Sequence, residues 1–161
     1  MTEWFDGPLL LSGAIAHGAS ILAALAAGAD FAYVGSAFIS TAEANATPEY
    51  KQMIVDSAAT DIVYSNLFTG VHGNYLRGSS AAAGLDPDNL PASDPSAMNF
   101  GSGGNMKIKA WKDIWASGQG VGAVKESTTV AELVGQLKDQ FDDACQALDT
   151  NLAARGLSPA Y

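Results

Sequence analysis

Apolar runs alternate with a helix-forming stretch over the first fifty residues. Residues 9–11 and 31–34 are short apolar runs, and each is followed by a pair of Gly and Ser. Residues 19–27 are rich in Ala and Leu, which are strong helix formers, and Gly28 stands where a helix C-cap glycine belongs. This order predicts a parallel strand–helix–strand unit whose strands are buried on both faces.

Polar residues interrupt this pattern in the middle of the chain. Thr47 and Pro48 supply an N-cap and a first-turn proline for a helix whose apolar residues recur at helical spacing. Residues 62–64 predict a short strand, and residues 107–116 predict another helix. Residues 78–104 show no sustained periodicity, and Gly, Ser, Asp, Pro and Asn dominate their later part. A loop of this length indicates a functional segment or an insertion.

The last predicted helix has the clearest pattern. Thr129 followed by Glu132 matches a capping box, with a hydroxyl at the N-cap and a carboxylate three residues later. Apolar residues then recur at helical intervals, and they are Val130, Leu133, Val134, Leu137, Phe141, Ala144, Cys145, Leu148 and Leu152. Cys145 lies on this apolar face, which favours a small buried hydrophobic residue over a reactive thiol.

Composition and charge limit the classes of function. The 161 residues are 48% hydrophobic and fit one domain of ordinary size, and 8 basic against 17 acidic residues give a net charge of −9. This charge argues against nucleic acid or an anionic membrane as the main partner. Residues 7–29 carry no charged side chain, but they are mostly Ala and Gly without basic flanks, which favours a buried segment over a membrane span or signal peptide. With Cys145 as the single cysteine, we expect a cytoplasmic protein without disulfides or a cysteine-based zinc site.

The turns after the two predicted strands are the strongest candidate for a binding site. Ser12, Gly13 and Ala14 follow the first strand, and Gly35 and Ser36 follow the second. The carboxyl ends of parallel strands meet at one edge, so main-chain N–H groups and a helix N-terminus there can point at one anion. No Lys or Arg occurs in the first fifty residues, so a phosphate would depend on main-chain N–H groups and hydroxyls. The alternative that these glycines merely form tight turns stays open.

The residues by themselves indicate no catalyst and no metal ligand. His17 directly precedes a predicted helix, where a capping or solvent-exposed role is favoured over that of a general base. His72 lies in a turn-like stretch with no acidic residue beside it to orient the ring. The chain has no metal-binding HxxxH or CxxC spacing, no carboxylate cluster and no G-x-S-x-G nucleophile elbow. The pattern predicts a cofactor cradle without its own acid–base machinery.

Five segments, in order along the chain, carry a resemblance to a known family. They are SGAIAHG at 12–18, YVGSAFI at 33–39, YKQMIVD at 50–56, GVHGNYLR at 70–77 and WKDIWASGQG at 111–120. Together they resemble the nitronate monooxygenases, formerly called 2-nitropropane dioxygenases. The resemblance runs from about Leu9 to about Leu148, nearly the whole chain, and it is specific at the level of the family.

The resemblance implies an α/β fold, namely the C-terminal part of an FMN-binding (β/α)₈ TIM barrel with an inserted, mainly helical segment. It implies an enzyme that oxidises alkyl nitronates with O₂ to carbonyl compounds and nitrite. Two turns would bind the FMN phosphate and a third would approach the flavin ring, and the implied residues are Ser12, Gly13, Ala14, Gly35, Ser36, Ser117, Gly118 and Gln119. The commoner family motif has two adjacent glycines and an acidic residue, so Ala14 and His17 are departures.

The length of the chain falls short of such a barrel, which takes about 250 residues. Under this interpretation residues 1–58 form the last two βα units, residues 59–126 an inserted segment over the flavin site, and residues 127–161 a C-terminal amphipathic helix and tail. The family's catalytic histidine lies on an earlier strand, so the catalytic residue stays unassigned. We therefore expect a C-terminal portion with unpaired strand edges, partnered by a complementing N-terminal half or by further copies of itself.

Two other hypotheses stay open at this point. The first is a related flavin-dependent enoyl reductase, which would use NAD(P)H in place of a nitronate. The second is a non-catalytic assembly module that uses residues 78–104 and the acidic C-terminal helix.

Overall fold

The computed structural model describes residues 5–93 and 110–157. Most of its helices and strands are short, and two short 3₁₀ turns lie between them. In chain order the elements are β1 (Leu10–Ser12), α1 (Gly18–Ala26), β2 (Phe31–Tyr33), α2 (Ser36–Ile39), α3 (Pro48–Asp56), a 3₁₀ turn (Ala59–Asp61), β3 (Ile62–Ser65), β4 (Gly73–Leu76), α4 (Arg77–Ala82), α5 (Ala110–Asp113), a 3₁₀ turn (Gln119–Ala123) and α6 (Val130–Ala154).

β1 and β2 form the parallel pair that the sequence predicts. Leu10 pairs with Phe31 in a two-stranded sheet, and α1 makes the crossover between the strands. Gly28 ends the crossover helix with a φ of +91°, the left-handed conformation common at helix C-termini. The expected burial on both faces is wrong for these residues, because Leu10 is 51% and Phe31 is 57% exposed. A sheet of two strands consists of edges only, and α1 cannot cover both of its faces.

β3 and β4 form an antiparallel hairpin in which Ile62 pairs with Leu76. β3 confirms the strand expected at residues 62–64. The sequence does not predict β4, because its first residues, Gly73 and Asn74, are typical of turns and rare in strands. The described residues of the predicted 59–126 segment therefore contain a hairpin as well as short helices.

The hydrophobic core lies between this hairpin and the preceding helices. Its buried cluster takes residues from α2, α3, β4 and the segment around the second 3₁₀ turn, and they are Ala37, Ile54, Leu76, Val121 and Val124. Ile54, Leu76 and Val121 are completely buried. Because the cluster joins residues from both sides of position 58, the two predicted segments share one core, and the division at that position stays a prediction.

Side-chain hydrogen bonds hold the segments on either side of the hairpin. Thr47 Oγ1 accepts the N–H of Tyr50, which confirms the expected N-cap of α3. Beyond α4, the Asn66 amide donates to the Ser93 carbonyl and accepts the Ser93 N–H. This pair of bonds ties Ser93 to the end of β3. The expectation of a loop over residues 78–104 is wrong for residues 78–82, which belong to α4, and residues 94–104 lie outside the described part.

The helix expected at residues 107–116 is shorter in the structure. α5 covers four of its residues and ends at Asp113, and residues 107–109 lie outside the described part. It stops there because the following chain pairs with β4, where the Leu76 N–H donates to the Trp115 carbonyl. Among the described residues, no helix combines the length and the apolar character that a bilayer span requires.

α6 begins as the sequence predicts and then packs against α1. The Glu132 carboxylate accepts the Thr129 N–H while Thr129 Oγ1 accepts the Glu132 N–H, which completes the capping box. At the contact, a Cβ on Gly18 would lie 2.2 Å from the Phe141 backbone nitrogen, so only glycine fits there.

The apolar face of α6 is buried at only one position. Leu137 is buried at the contact with α1, and Phe141 is half-buried beside it. Cys145 is half-buried rather than buried. The expectation of a fully buried thiol is therefore too strong.

Candidate functional site

Three segments of the chain meet around a cavity of about 100 Å³ at the carboxyl ends of β1 and β2. Two of them are the turns that follow these strands, and the third contains residues 118–120. The lining residues are Ser12, Gly13, Ala14, Ile15, Ala16, Tyr33, Gly35, Ser36, Gly118 and Gly120. The volume is a few times the ~30 Å³ that one water molecule occupies in the liquid, so the cavity has room for a group of a few heavy atoms.

The turn after β1 is built from two residues with left-handed backbone. Gly13 has a φ of +109° and Ala14 a φ of +54°, and Ala14 is the only non-glycine residue with positive φ among those described. A left-handed conformation costs an alanine roughly 1–2 kcal/mol, which the surrounding contacts must offset. The methyl group of Ala14 is exposed, and its N–H donates to no other group among the described residues.

The turn after β2 leads directly into α2. Ser36 is the first residue of this helix, and the N–H groups of Gly35 and Ser36 make no hydrogen bond within the described chain. Ser36 Oγ accepts the N–H of Gly118 at 2.7 Å, across 82 residues of sequence. The hydroxyl's own proton has no acceptor among the described residues, so it stays available to a ligand.

The third segment is held by bonds to β4. Ser117 donates its N–H to the Asn74 carbonyl at 3.2 Å, and Ala116 forms an isolated β-bridge with Tyr75. At its far end, Gly120 approaches the first turn so closely that a Cβ there would lie 2.9 Å from the Ala14 carbonyl oxygen. The segment thus bridges the hairpin and the cavity.

An aromatic stack supports the beginning of this segment. The rings of Tyr50 and Trp115 lie 4.9 Å apart at an angle of 14°, and the Tyr50 hydroxyl donates to the Ala116 carbonyl. Burial raises the pKa of Tyr50 above its ordinary value of 10.0. Tyr50 therefore fixes the main chain just before Ser117.

The structure brings together six of the eight residues predicted for the cofactor site. Ser12, Gly13, Ala14, Gly35, Ser36 and Gly118 all line the cavity. Ser117 lies behind the lining, 6% exposed, and Gln119 is exposed at the start of the 3₁₀ turn outside it. Sequence reasoning missed the lining residues Ile15, Ala16, Tyr33 and Gly120. Tyr33 carried a usable signal, since it lies near the carboxyl end of the second apolar run.

The helix N-terminus that the sequence predicts as a donor to an anion is already occupied. In α1, the Gly18 N–H donates to Gln140 Oε1 at 2.9 Å, and the Ala19 N–H donates to His17 Nδ1 at 3.1 Å. This confirms the capping role of His17. It also corrects the anion argument, because these N–H groups of α1 are committed and a donor to an anion must come from the cavity lining instead.

The second histidine lies away from the cavity. His72 precedes β4 and stacks on Tyr64, with ring centroids 4.8 Å apart. Neither histidine lines the cavity, and none of the described lining residues carries a charge. Within the described chain, no three His, Cys, Asp or Glu residues form a group that could hold a metal ion. The site therefore presents neutral hydrogen-bond donors without a charged partner.

Sequence comparison finds the same family along most of the chain. A family model described as nitronate monooxygenase matches residues 1–140. A nitronate monooxygenase of Paraburkholderia phytofirmans is 32% identical over 147 residues, covering 88% of this chain and 40% of that protein. A probable nitronate monooxygenase of Bacillus subtilis is 27% identical over 135 residues, covering 81% of this chain and 39% of that protein. The chain thus spans about 40% of the length of these relatives and matches their C-terminal part.

Solved structures give the same picture of the fold. A nitroalkane oxidase from Streptomyces ansochromogenes superposes with a TM-score of 0.67 and 27% identity, covering 91% of this chain and 43% of that one. FabK from Thermotoga maritima superposes with a TM-score of 0.64 and 20% identity, covering 89% of this chain and 47% of that one. These likenesses confirm the predicted α/β fold, that of the C-terminal part of a TIM barrel.

Proposed function

The chain belongs to the nitronate monooxygenase family, and on this premise we propose that it supplies the part of an FMN site that holds the phosphate. The observation that carries the proposal is the cavity at the ends of β1 and β2. Six of the residues that the family resemblance assigns to the cofactor lie around it. The carboxyl ends of parallel strands are where α/β barrels bind their ligands.

The donors at this cavity suit a phosphate. The N–H groups of Ala14, Gly35 and Ser36 and the Ser36 hydroxyl are uncommitted within the described chain. Hydrogen bonds to an ionised acceptor are roughly twice as strong as bonds between neutral groups, so several of them can hold an anion without a cation. None of the described residues that line the cavity carries a carboxylate that would repel it.

The proposed reaction is the oxidation of an alkyl nitronate by O₂ to a carbonyl compound and nitrite. FMN, when bound, would supply the redox chemistry that passes electrons between the nitronate and O₂. The residues of this chain would bind and orient the phosphate end, and Gln119 would stand near the path to the ring. His17 and His72 are committed to a helix cap and a ring stack. Following the family resemblance, we assign the catalytic histidine to the earlier strands of the barrel.

The proposal extends to the partner that completes the site. Leu10, Leu11, Phe31 and Tyr33 of β1 and β2 are all more than two fifths exposed, on strands that are both edges. The relatives are about two and a half times as long as the matched region, consistent with 40% coverage. We propose that the earlier strands of the family's barrel cover these residues, whether on the same polypeptide or on a complementing one.

Two isosteric substitutions at Ala14 test the phosphate site. Ala14→Asn and Ala14→Asp place side chains of the same shape beside the cavity, and both residue types tolerate left-handed backbone. We expect Ala14→Asp to weaken FMN binding at least tenfold relative to Ala14→Asn, because only the aspartate places a negative charge near the phosphate. Flavin fluorescence titrations would measure both affinities, with riboflavin, which lacks the phosphate, as the control ligand. Equal FMN affinities of the two variants would contradict the site.

The reaction is tested on the chain mixed with the N-terminal half of a family member. We expect the mixture to retain FMN and to consume O₂ when an alkyl nitronate is added. Rapid reduction of the flavin by NADH would instead favour the reductase hypothesis. A colourless oligomer that melts cooperatively and takes up no flavin would favour the assembly module.

A further inference from the structure

The Ser36 hydroxyl joins two parts of the molecule that are far apart in sequence. Its oxygen accepts the Gly118 N–H at 2.7 Å, and both residues line the cavity. A Cβ on Gly118 would lie 3.2 Å from this oxygen, which is closer than most real Cβ contacts. A larger residue at position 118 would therefore require the Ser36 side chain to shift.

We propose that Ser36 is a positioning residue that couples a bound phosphate to the turn at residues 117–120. This inference rests on the proposed phosphate site. A hydroxyl is both a donor and an acceptor. Its oxygen is already used by Gly118, and its proton is uncommitted among the described residues. A phosphate at the cavity would accept that proton, so the hydroxyl would lie between the anion and Gly118.

Such a chain of hydrogen bonds is cooperative. When the hydroxyl donates to an anion, electron density shifts toward its oxygen, and the oxygen becomes a better acceptor for the Gly118 N–H. Coupling of this kind is reciprocal, so the Gly118 bond also strengthens the hold on phosphate. Phosphate binding thereby holds the turn more firmly.

The effect reaches the segment that carries Gln119. The Gly118 carbonyl accepts the N–H of Val121, a completely buried residue of the core. Ser117 is tied to Asn74 of β4 on the other side. Since both flanks are anchored, Ser36 determines how firmly the short piece between them stays against the cavity. Gln119, on that piece, would be positioned by the phosphate that Ser36 contacts.

Hydrogen exchange at the Gly118 amide, measured by NMR, tests the coupling directly. In the wild-type chain we expect inorganic phosphate and FMN to slow the exchange of this amide by up to about twofold, because the bond to Ser36 already exists and the anion strengthens it by roughly 10–30%. Riboflavin should leave the rate unchanged. In Ser36→Ala the amide should exchange about fivefold faster without ligand, and phosphate should no longer slow it.

Two further variants serve as controls. Ser36→Thr retains the hydroxyl and should restore the response to phosphate. Ser127→Ala removes another hydroxyl that links distant segments, through its bond to the Ser40 carbonyl, and should leave the Gly118 exchange unchanged. If Ser36→Ala and wild type exchange alike, or if riboflavin slows the amide as much as FMN does, the coupling is wrong.

The outcomes separate this inference from the proposed function. If FMN binds but the exchange rate of the Gly118 amide changes neither with ligand nor in Ser36→Ala, the coupling is refuted and the proposed function stays intact. Slowing by inorganic phosphate that is lost in Ser36→Ala, when the mixture with the N-terminal half takes up no flavin, would support the coupling and refute the FMN site.

Discussion

The parallel unit, residues 10–33, and the hairpin core, formed by α2, α3, β4 and residues 119–124, differ in how they bury their apolar residues. Leu10 and Phe31 in the strands of the parallel unit are more than half exposed, whereas Leu76 and Val121 in the hairpin core are completely buried. The candidate site lies between the two regions. Its first two turns belong to the ends of the exposed strands, and its third segment is anchored in the core.

This difference shows where the rigidity of the site comes from. A two-stranded sheet is marginal in water, so the turns at its end cannot depend on the strands alone. Gly118 and Gly120 reach them from the core, through the bond to Ser36 and the close approach to Ala14. The core therefore supports the cavity from the side opposite the strands.

Matched leucine substitutions should show the contrast between the regions at its largest. We expect Leu76→Ala to lower the free energy of unfolding by about 2–5 kcal/mol, because it leaves a cavity in the packed core. Leu11→Ala, at a residue 43% exposed, should cost less than about 1 kcal/mol, since water already reaches the side chain. Urea denaturation would measure both, and equal losses would contradict the contrast.

Adding the N-terminal half of a family member would sharpen this test. If the earlier strands cover β1 and β2, the cost of Leu11→Ala should rise toward that of Leu76→Ala in the mixture. An unchanged cost would mean that the apolar strand residues stay exposed there.

Two glycine substitutions should give effects of opposite sign. Gly120→Ala would place a Cβ 2.9 Å from the Ala14 carbonyl oxygen, and we expect a loss of about 1–3 kcal/mol from overpacking. Gly135→Ala, in the second turn of α6 with nothing within 4 Å, should stabilise the protein by about 1 kcal/mol, because alanine has a higher helix propensity than glycine. Thermal unfolding would compare them. If Gly120→Ala leaves the stability unchanged, the inferred support of the cavity by the core is wrong.

The smallest effect is expected at Tyr50, which connects the core to the site. Tyr50→Phe should cost about 1 kcal/mol at neutral pH through loss of the hydrogen bond to Ala116. Because folding raises the pKa of Tyr50 above its ordinary value of 10.0, the unfolded chain loses this proton first. Stability should therefore fall as the pH rises above about 10, and fall less steeply in Tyr50→Phe. Parallel curves of unfolding free energy against pH would contradict this.

Local chemistry made several features readable from the chain. The capping box of Thr129 and Glu132, the N-cap at Thr47 and the C-cap Gly28 all depend on neighbours within a few residues. The two strand-end turns were equally readable, since short apolar runs closed by Gly and Ser have few other interpretations. β4 could not be predicted from the sequence, because pairing with β3 overrides the turn preference of Gly73 and Asn74.

The sequence by itself determined that the two strand-end turns would carry no cation. The first fifty residues hold no Lys or Arg, so any anion there must meet main-chain N–H groups and hydroxyls. Only the tertiary structure decided which groups remain free for it. Gln140 and His17 occupy the N-terminus of α1, and Gly118 takes the oxygen of Ser36 but leaves its proton. The bonds from Gln140 and Gly118 span 122 and 82 residues, and separations of that size are set by packing, which local pattern does not encode.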